Sequence, residues 1–323
     1  MMVCASGWRE RPLGLSVPKR ERCSCTWRMR QSPSTHSPLT FVPSPPMLLY
    51  GTRWTRGCLP ATQEVQMLLE RLSTLRESMG WVYGSEDLCV LLYCLVKRMR
   101  PSTVVELGTG FGVTAAWMAG ALRENGAGVI HTYDNGSHFF SEPGSRFVEG
   151  LQGPLADSLR EMRQDYPAFL NYLFQWAGVD GHVVANWREI GFAEIAQAPA
   201  FDGGIDMVFS DFNHSQDSIQ ALLAAFLPRM AESASIFIDS ASTQRLSYLT
   251  LEAVVEALNQ NKIPRALIKD RSGKDIEAIV RIVQRSRFRL MHLLEARDRA
   301  QNSTAWISIE PVDVIPTAAT FLH

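Results

Sequence analysis

Long apolar runs are missing from this sequence. The longest, LCVLLYCLV at 88–96, has nine residues, too short to span a bilayer, which takes about 20. No apolar h-region follows the start, so no secretory leader and no membrane span are expected, and the cytoplasm is the default location. Cysteine is scarce where a disulfide framework would need it. Four of the six (Cys4, Cys23, Cys25, Cys58) fall in the first 60 residues, while Cys89 and Cys94 sit in an apolar helical pattern. Cys23 and Cys25 form a lone C-x-C without the partner pair a zinc site needs. Acids are scarce at the start: residues 1–60 hold nine Lys/Arg against two acids, about +7, which leaves about −8 on the remainder of a chain whose net charge is −1. An acidic body argues against nucleic acid as a partner.

What is present begins near residue 61. Residues 1–60 are rich in Arg, Ser and Pro and show no apolar period, so they are expected to form a disordered or loosely attached basic extension. Residues 61–323 are expected to form one domain. Two helical patterns, around 61–75 and 85–98, precede the first strand. Apolar runs follow at 103–107, 128–133, 182–185, 205–210 and 234–238, and four of them lead into helical patterns at 112–123, 188–197, 215–231 and 245–261. Short strands alternating with helices predict a parallel α/β sheet. A helix near 274–285 and two runs at 288–295 and 304–310, joined by the polar turn RDRAQNS, predict a closing antiparallel hairpin. The expected fold is thus a Rossmann-like, seven-stranded, mostly parallel sheet with one reversed strand and helices on both faces.

The stretch VVELGTGFG at 104–112 carries Glu106, Gly108, Thr109, Gly110 and Gly112. A dinucleotide fold uses G-x-G-x-x-G/A, where the last small residue lets helix and strand pack closely. Val113 fills that slot here. An acid two residues before the first glycine would also repel a pyrophosphate, whereas S-adenosylmethionine (SAM) carries no phosphate. Asp134, at the end of the second strand, suits a ribose diol, because a carboxylate can accept two O–H bonds.

On VVELGTGFG, TYDN, IDMVFSDFNHS and SIFIDS, the sequence resembles the class I SAM-dependent methyltransferases over roughly residues 80–310. The resemblance implies that Gly108, Gly110 and Gly112 lie under the methionine part of SAM and that Asp134 binds the ribose. Trp187, after the third strand, is a candidate for stacking on adenine, and plain packing is the competing account.

Asp211 and His214 follow the fourth strand, and Asp239 ends the fifth. Neighbouring parallel strands lie about 4.8 Å apart, so carboxylates at their tips can share a divalent cation. This set resembles the metal-dependent small-molecule O-methyltransferases of the catechol and macrolide-sugar types. There, Asp211 and Asp239 would hold magnesium and His214 would be the base. Ser240 departs from that pattern, since the family offers Asp or Asn as a third ligand and serine binds magnesium poorly. Helix capping is the competing account: Asp211 for the helix beginning near Ser215 and Asp239 for the helix after it.

The expected activity is therefore O-methylation of a small-molecule hydroxyl, with magnesium as an expected helper. A metal-independent transferase using His214, or a SAM-binding protein without transferase activity, are the alternatives. Residues 137–181 form an insertion with two expected helices, at about 152–164 and 166–177, rich in aromatics (Phe169, Tyr172, Phe174, Trp176). This insertion and the two helices before the first strand are candidates for substrate recognition, and core packing or the interface of a homodimer are the competing accounts of the aromatic set.

Overall fold

The computed structural model describes residues 59–83, 86–241, 245–294 and 303–312. The expected basic extension, apart from its last two residues, and most of the expected turn at 297–303 lie outside these residues. Two helices, α1 (Leu59–Tyr83, kinked at Gly80) and α2 (Glu86–Met99), come first. Then strand and helix alternate: β1 (Thr103–Leu107), α3 (Val113–Asn125) and β2 (Val129–Asp134). The insertion folds as α4 (Glu142–Glu149), α5 (Ala156–Glu161) and α6 (Tyr166–Ala177) before β3 (Val183–Trp187). The second half runs α7 (Phe192–Ala196), β4 (Ile205–Ser210), α8 (Gln216–Phe226), β5 (Met230–Asp239) and α9 (Arg245–Asn259). It closes with α10 (Arg265–Ile268), α11 (Gly273–Arg285), β6 (Ser286–Leu294) and β7 (Ser303–Pro311).

The seven strands form one sheet in the order β3-β2-β1-β4-β5-β7-β6. Strands β1 to β5 pair in parallel, and β7 runs antiparallel to both β5 and β6. The expected fold class is the observed one. The order reverses between β1 and β4, and this switch point is where open α/β sheets bind ligands, outside the carboxyl ends of the strands.

Alternation along the strands sorts the core into two layers. Val104, Met207 and Phe237 face a layer built with α1, α2, α3 and α6, whereas Val105, Leu107, Val208 and Ile236 face one built with α8, α9 and α11. By the same period of two, Glu106 and Thr132 point to the first layer. A glutamate at 0% exposure is thus the ionisable member of an otherwise apolar β1 face.

Several elements differ from expectation. The helix expected over 188–197 is only Phe192–Ala196, because Arg188 is drawn back: its N–H donates to the Asp134 carbonyl at 3.0 Å and its guanidinium lies over Tyr133 and pairs with Glu194. The helix expected to 231 ends at Phe226, before the turn that carries Pro228. The fifth strand starts four residues earlier than its apolar run, since β4 and β5 shift register between Ile205 and Met207.

Candidate active site

The loop after β1 is shaped by its glycines. Gly108 has φ +93°, and a Cβ there would come within 2.3 Å of the Asp211 carbonyl oxygen. This close approach brings the ends of β1 and β4 together, and the Asp211 N–H donates to the Leu107 carbonyl at 2.9 Å. Gly110 also has positive φ, but nothing lies within 4 Å of where its Cβ would be. The space over Gly110 is therefore open for a ligand. Gly112, at φ 78°, opens α3.

Asp134 stands beside this loop. Its Oδ2 accepts the Gly110 N–H at 2.9 Å and its Oδ1 accepts the Gly136 N–H at 2.7 Å. Each oxygen keeps a further lone pair, so the carboxylate is oriented and still able to accept two hydroxyls.

Glu106 lies beneath. The Thr132 hydroxyl donates to its Oε2 and contacts the Thr109 hydroxyl, while Oε1 is buried with no partner. Burial raises the Glu106 pKa to about 8, and the nearby Asp211 and Asp134 charges push the same way against the Thr132 bond.

A cavity of about 480 Å³ connects these parts to the later strands. It is lined by Gly108, Thr109, Gly110, Asp134, Asp211, His214 and Asp239, a volume in the range typical of small-molecule sites. The structure thus gathers in one place the loop, the ribose candidate and the three expected catalytic or metal residues. Leu88 and Cys89 of α2, with Phe111, Ile190 and Phe212, supply apolar wall. Helix α2 was among the elements expected to face the acceptor, but the individual wall residues were not singled out from the sequence, because their approach depends on packing between elements far apart in the chain. Ser137 and His138 represent the insertion in the lining. Its expected aromatic set does not: Phe169 and Phe174 are core, and Tyr172 and Trp176 pack on that core.

Trp187 lines a separate cavity of about 110 Å³ with Asn171 and Phe174, and its ring meets Tyr166 edge-on at 5.4 Å. It stands beside Asp134 in register, one strand further from the main cavity.

Asp211 is not the helix cap it could have been. That place is taken by Ser215, whose hydroxyl accepts the Ser218 N–H, and Asp211 remains about half exposed in the cavity. His214 is largely buried, with Nε2 at 3.7 Å from Asp211 Oδ1, beyond hydrogen-bond length. Its Nδ1 is buried without a partner. Burial lowers the His214 pKa, and the negative charge of Asp239 opposes this. Asp239 accepts the Thr304 hydroxyl on Oδ1 at 2.7 Å and the Ser240 hydroxyl on Oδ2 at 3.2 Å.

The residues fit SAM: a cradle open above Gly110, an oriented carboxylate for a diol, and further carboxylates of Asp211 and Asp239 in the lining for a cationic ligand. For magnesium they offer two carboxylates, Asp211 and Asp239, and no third acidic ligand beside them. Among the described residues no three His, Cys, Asp or Glu side chains are grouped to hold a metal ion, and Ser240, in the third-ligand position, turns its hydroxyl onto Asp239.

Residues 105–241 match the family described as "Methyltransferase domain". No curated protein matches the sequence. Among solved structures, the chain is similar to the O-methyltransferase TomG from Streptomyces achromogenes in complex with SAM, at 16% identity over 76% of this chain and 90% of that one, TM-score 0.40. The O-methyltransferase from Bacillus cereus in complex with SAH gives 14% identity over 76% and 91%, TM-score 0.41. SAH-bound methyltransferase PaMTH1 from Podospora anserina gives 13% over 76% and 88%, TM-score 0.41. Over the matched residues the sheet order, the glycine loop and Asp134 agree with the family match and support a SAM-dependent methyltransferase domain. Among the described residues, no helix is long and apolar enough to cross a membrane.

Proposed function

We propose that the protein is an O-methyltransferase acting on a hydroxyl of a small molecule, with His214 as general base and no step that depends on magnesium. The observation that carries this reading is the shared cavity: His214, Asp211 and Asp239 line the same space as the glycine loop and Asp134. SAM, when bound, supplies a methyl group on a sulfonium that can leave as a neutral thioether.

Gly108, Thr109, Gly110 and Gly112 shape the methionine side of the pocket, Glu106 lies beneath that loop, and Asp134 receives the ribose hydroxyls. Trp187 belongs to the outer, adenine side of this arrangement. A hydroxyl is a weak nucleophile at neutral pH, so its proton must be taken as the O–C bond forms. His214 is suited to that role because burial keeps its imidazole neutral. Asp211 and Asp239 then flank the imidazolium that results, and their charge stabilises it. The apolar wall of Leu88, Phe111 and Phe212 suits an acceptor with a hydrophobic body.

The test is turnover with a panel of phenols and hydroxylated natural products, with and without magnesium, read as SAH formed. Methylation at equal rate in chelator supports the reading. Strict magnesium dependence would replace His214 with a cation held by Asp211 and Asp239, and SAM binding without turnover on any hydroxyl would leave a binding protein.

A further inference from the structure

The inserted helices carry a residue that reaches back into the cofactor loops. Helix α6 starts at Tyr166, with Asp165 as its cap: the Asp165 carboxylate accepts the Ala168 N–H at 2.9 Å. Tyr166 is 2% exposed, and its hydroxyl donates to the Gly110 carbonyl at 2.7 Å. Its ring packs on Phe139 at 4.9 Å and on Trp187 at 5.4 Å. A Cβ on Gly136 would lie 2.8 Å from that ring. One side chain therefore touches the loop after β1, the loop after β2 and the end of β3.

Asp134 sits between these contacts. It holds the Gly110 N–H on one oxygen and the Gly136 N–H on the other, and both of those glycines are in contact with Tyr166. A loop with positive φ at Gly108, Gly110 and Gly112 has little conformational preference of its own. An external tie is what can hold it in one shape before a ligand arrives, which lowers the ordering cost of binding. Tyr166 does not line the main cavity, so whatever it contributes passes through its neighbours. Burial raises its pKa, with the Asp134 and Glu106 charges acting in the same direction. The phenol accordingly stays protonated and keeps the proton it donates to the Gly110 carbonyl.

We propose that Tyr166 is a positioning residue for the cofactor: by tying down the Gly110 carbonyl and the turn at Gly136, it fixes the Asp134 carboxylate so that its remaining lone pairs face a ribose diol. The insertion then works on the cofactor as well as on the acceptor side. This rests on the SAM reading of the cavity.

The experiment is calorimetric titration of the wild type and Tyr166→Phe with SAH and with its 2′,3′-dideoxy analogue, which lacks the diol. The variant is expected to bind SAH about tenfold more weakly, while the dideoxy analogue binds both proteins alike. A change in SAH affinity below about twofold overturns the proposal. So does an equal loss for both ligands, which is what general loosening would give. Absence of SAH binding to the wild type would instead remove the cofactor reading beneath it. Should Tyr166→Phe fail to fold, amide hydrogen exchange of the wild type without ligand decides. The proposal expects the Gly110 and Gly136 amides to be protected, and exchange at the rate of an open loop overturns it.

Discussion

Thr304, on the strand that runs against its neighbours, donates its hydroxyl to Oδ1 of Asp239 at 2.7 Å. The two residues are direct partners in the β5–β7 register. The closing hairpin therefore does more than complete the sheet, because it sets the carboxylate whose charge acts on His214. Thr304 is 3% exposed, so Thr304→Val keeps the shape and deletes one hydrogen bond to a charged group, worth about 1.5–3 kcal/mol. The expected outcome is a lower melting temperature and a lower kcat with the SAM Kd unchanged, measured by calorimetry and steady-state kinetics. A fall in SAM affinity would show that Asp239 is read wrongly as belonging to the acceptor side.

His214→Ala tests the base. General-base catalysis contributes about 10²–10⁴ in rate, so kcat is expected to fall by at least about a hundredfold, with little change in SAM Kd. The pH profile carries the sign. Burial lowers the His214 pKa from its ordinary 6.5, so the neutral, proton-accepting form persists below that pH. The midpoint of the acid limb of the wild-type rate profile should therefore lie below pH 6.5.

How much of this could be read in advance differs by element. Strands β1 to β5 were legible because each is a short apolar run between turn signals, and the reversed strand followed from two runs separated by a polar turn. That Asp134, Asp211, His214 and Asp239 gather around one cavity was legible because the strand tips of an open α/β sheet lie together at the switch point. Helix α7 came out shorter than its pattern because a tertiary pull on Arg188 outweighs local propensity. The part played by Tyr166 was not legible. Its helix could be marked, and the Asp165 cap with Pro167 in the first turn points to a helix start there, but its reach across 56 residues to Gly110 is a product of how α6 packs. Helix α4 was not expected either: the Ser141 cap and Pro143 near the first helical position favour a helix start there, against the low helix propensity of Gly144.

Glu106→Gln tests the buried carboxyl through stability. The folded pKa is raised from 4.5 to about 8, so between these values the folded state holds a proton that the unfolded chain has released. Unfolding then releases it, and stability falls as pH rises through that window. Glutamine is neutral throughout and lacks this dependence. Urea denaturation at pH 5 and pH 8 should therefore show the variant gaining on the wild type as pH rises. A difference that does not change with pH would mean that Glu106 is ionised in the folded protein.

The two glycines of the loop should separate packing from ligand space. At Gly110 an alanine meets no neighbour within 4 Å and adopts φ 54°, a left-handed conformation that costs about 1–2 kcal/mol. At Gly108 the φ of +93° is less accessible still, and the new Cβ would stand 2.3 Å from the Asp211 carbonyl oxygen, so the ends of β1 and β4 must part. Overpacking adds about 1–3 kcal/mol to the conformational cost. Gly110→Ala is expected to fold with a modest loss of stability and a marked loss of SAM affinity, since its methyl projects into the open cradle. Gly108→Ala is expected to lose more stability than Gly110→Ala and also to lower kcat in whatever fraction folds, because displacing Asp211 moves a residue beside the base. Melting temperatures, SAM titration and turnover on both variants check this. Equal destabilisation at the two sites would mean that the contact between Gly108 and Asp211 is not the close approach on which the site is built.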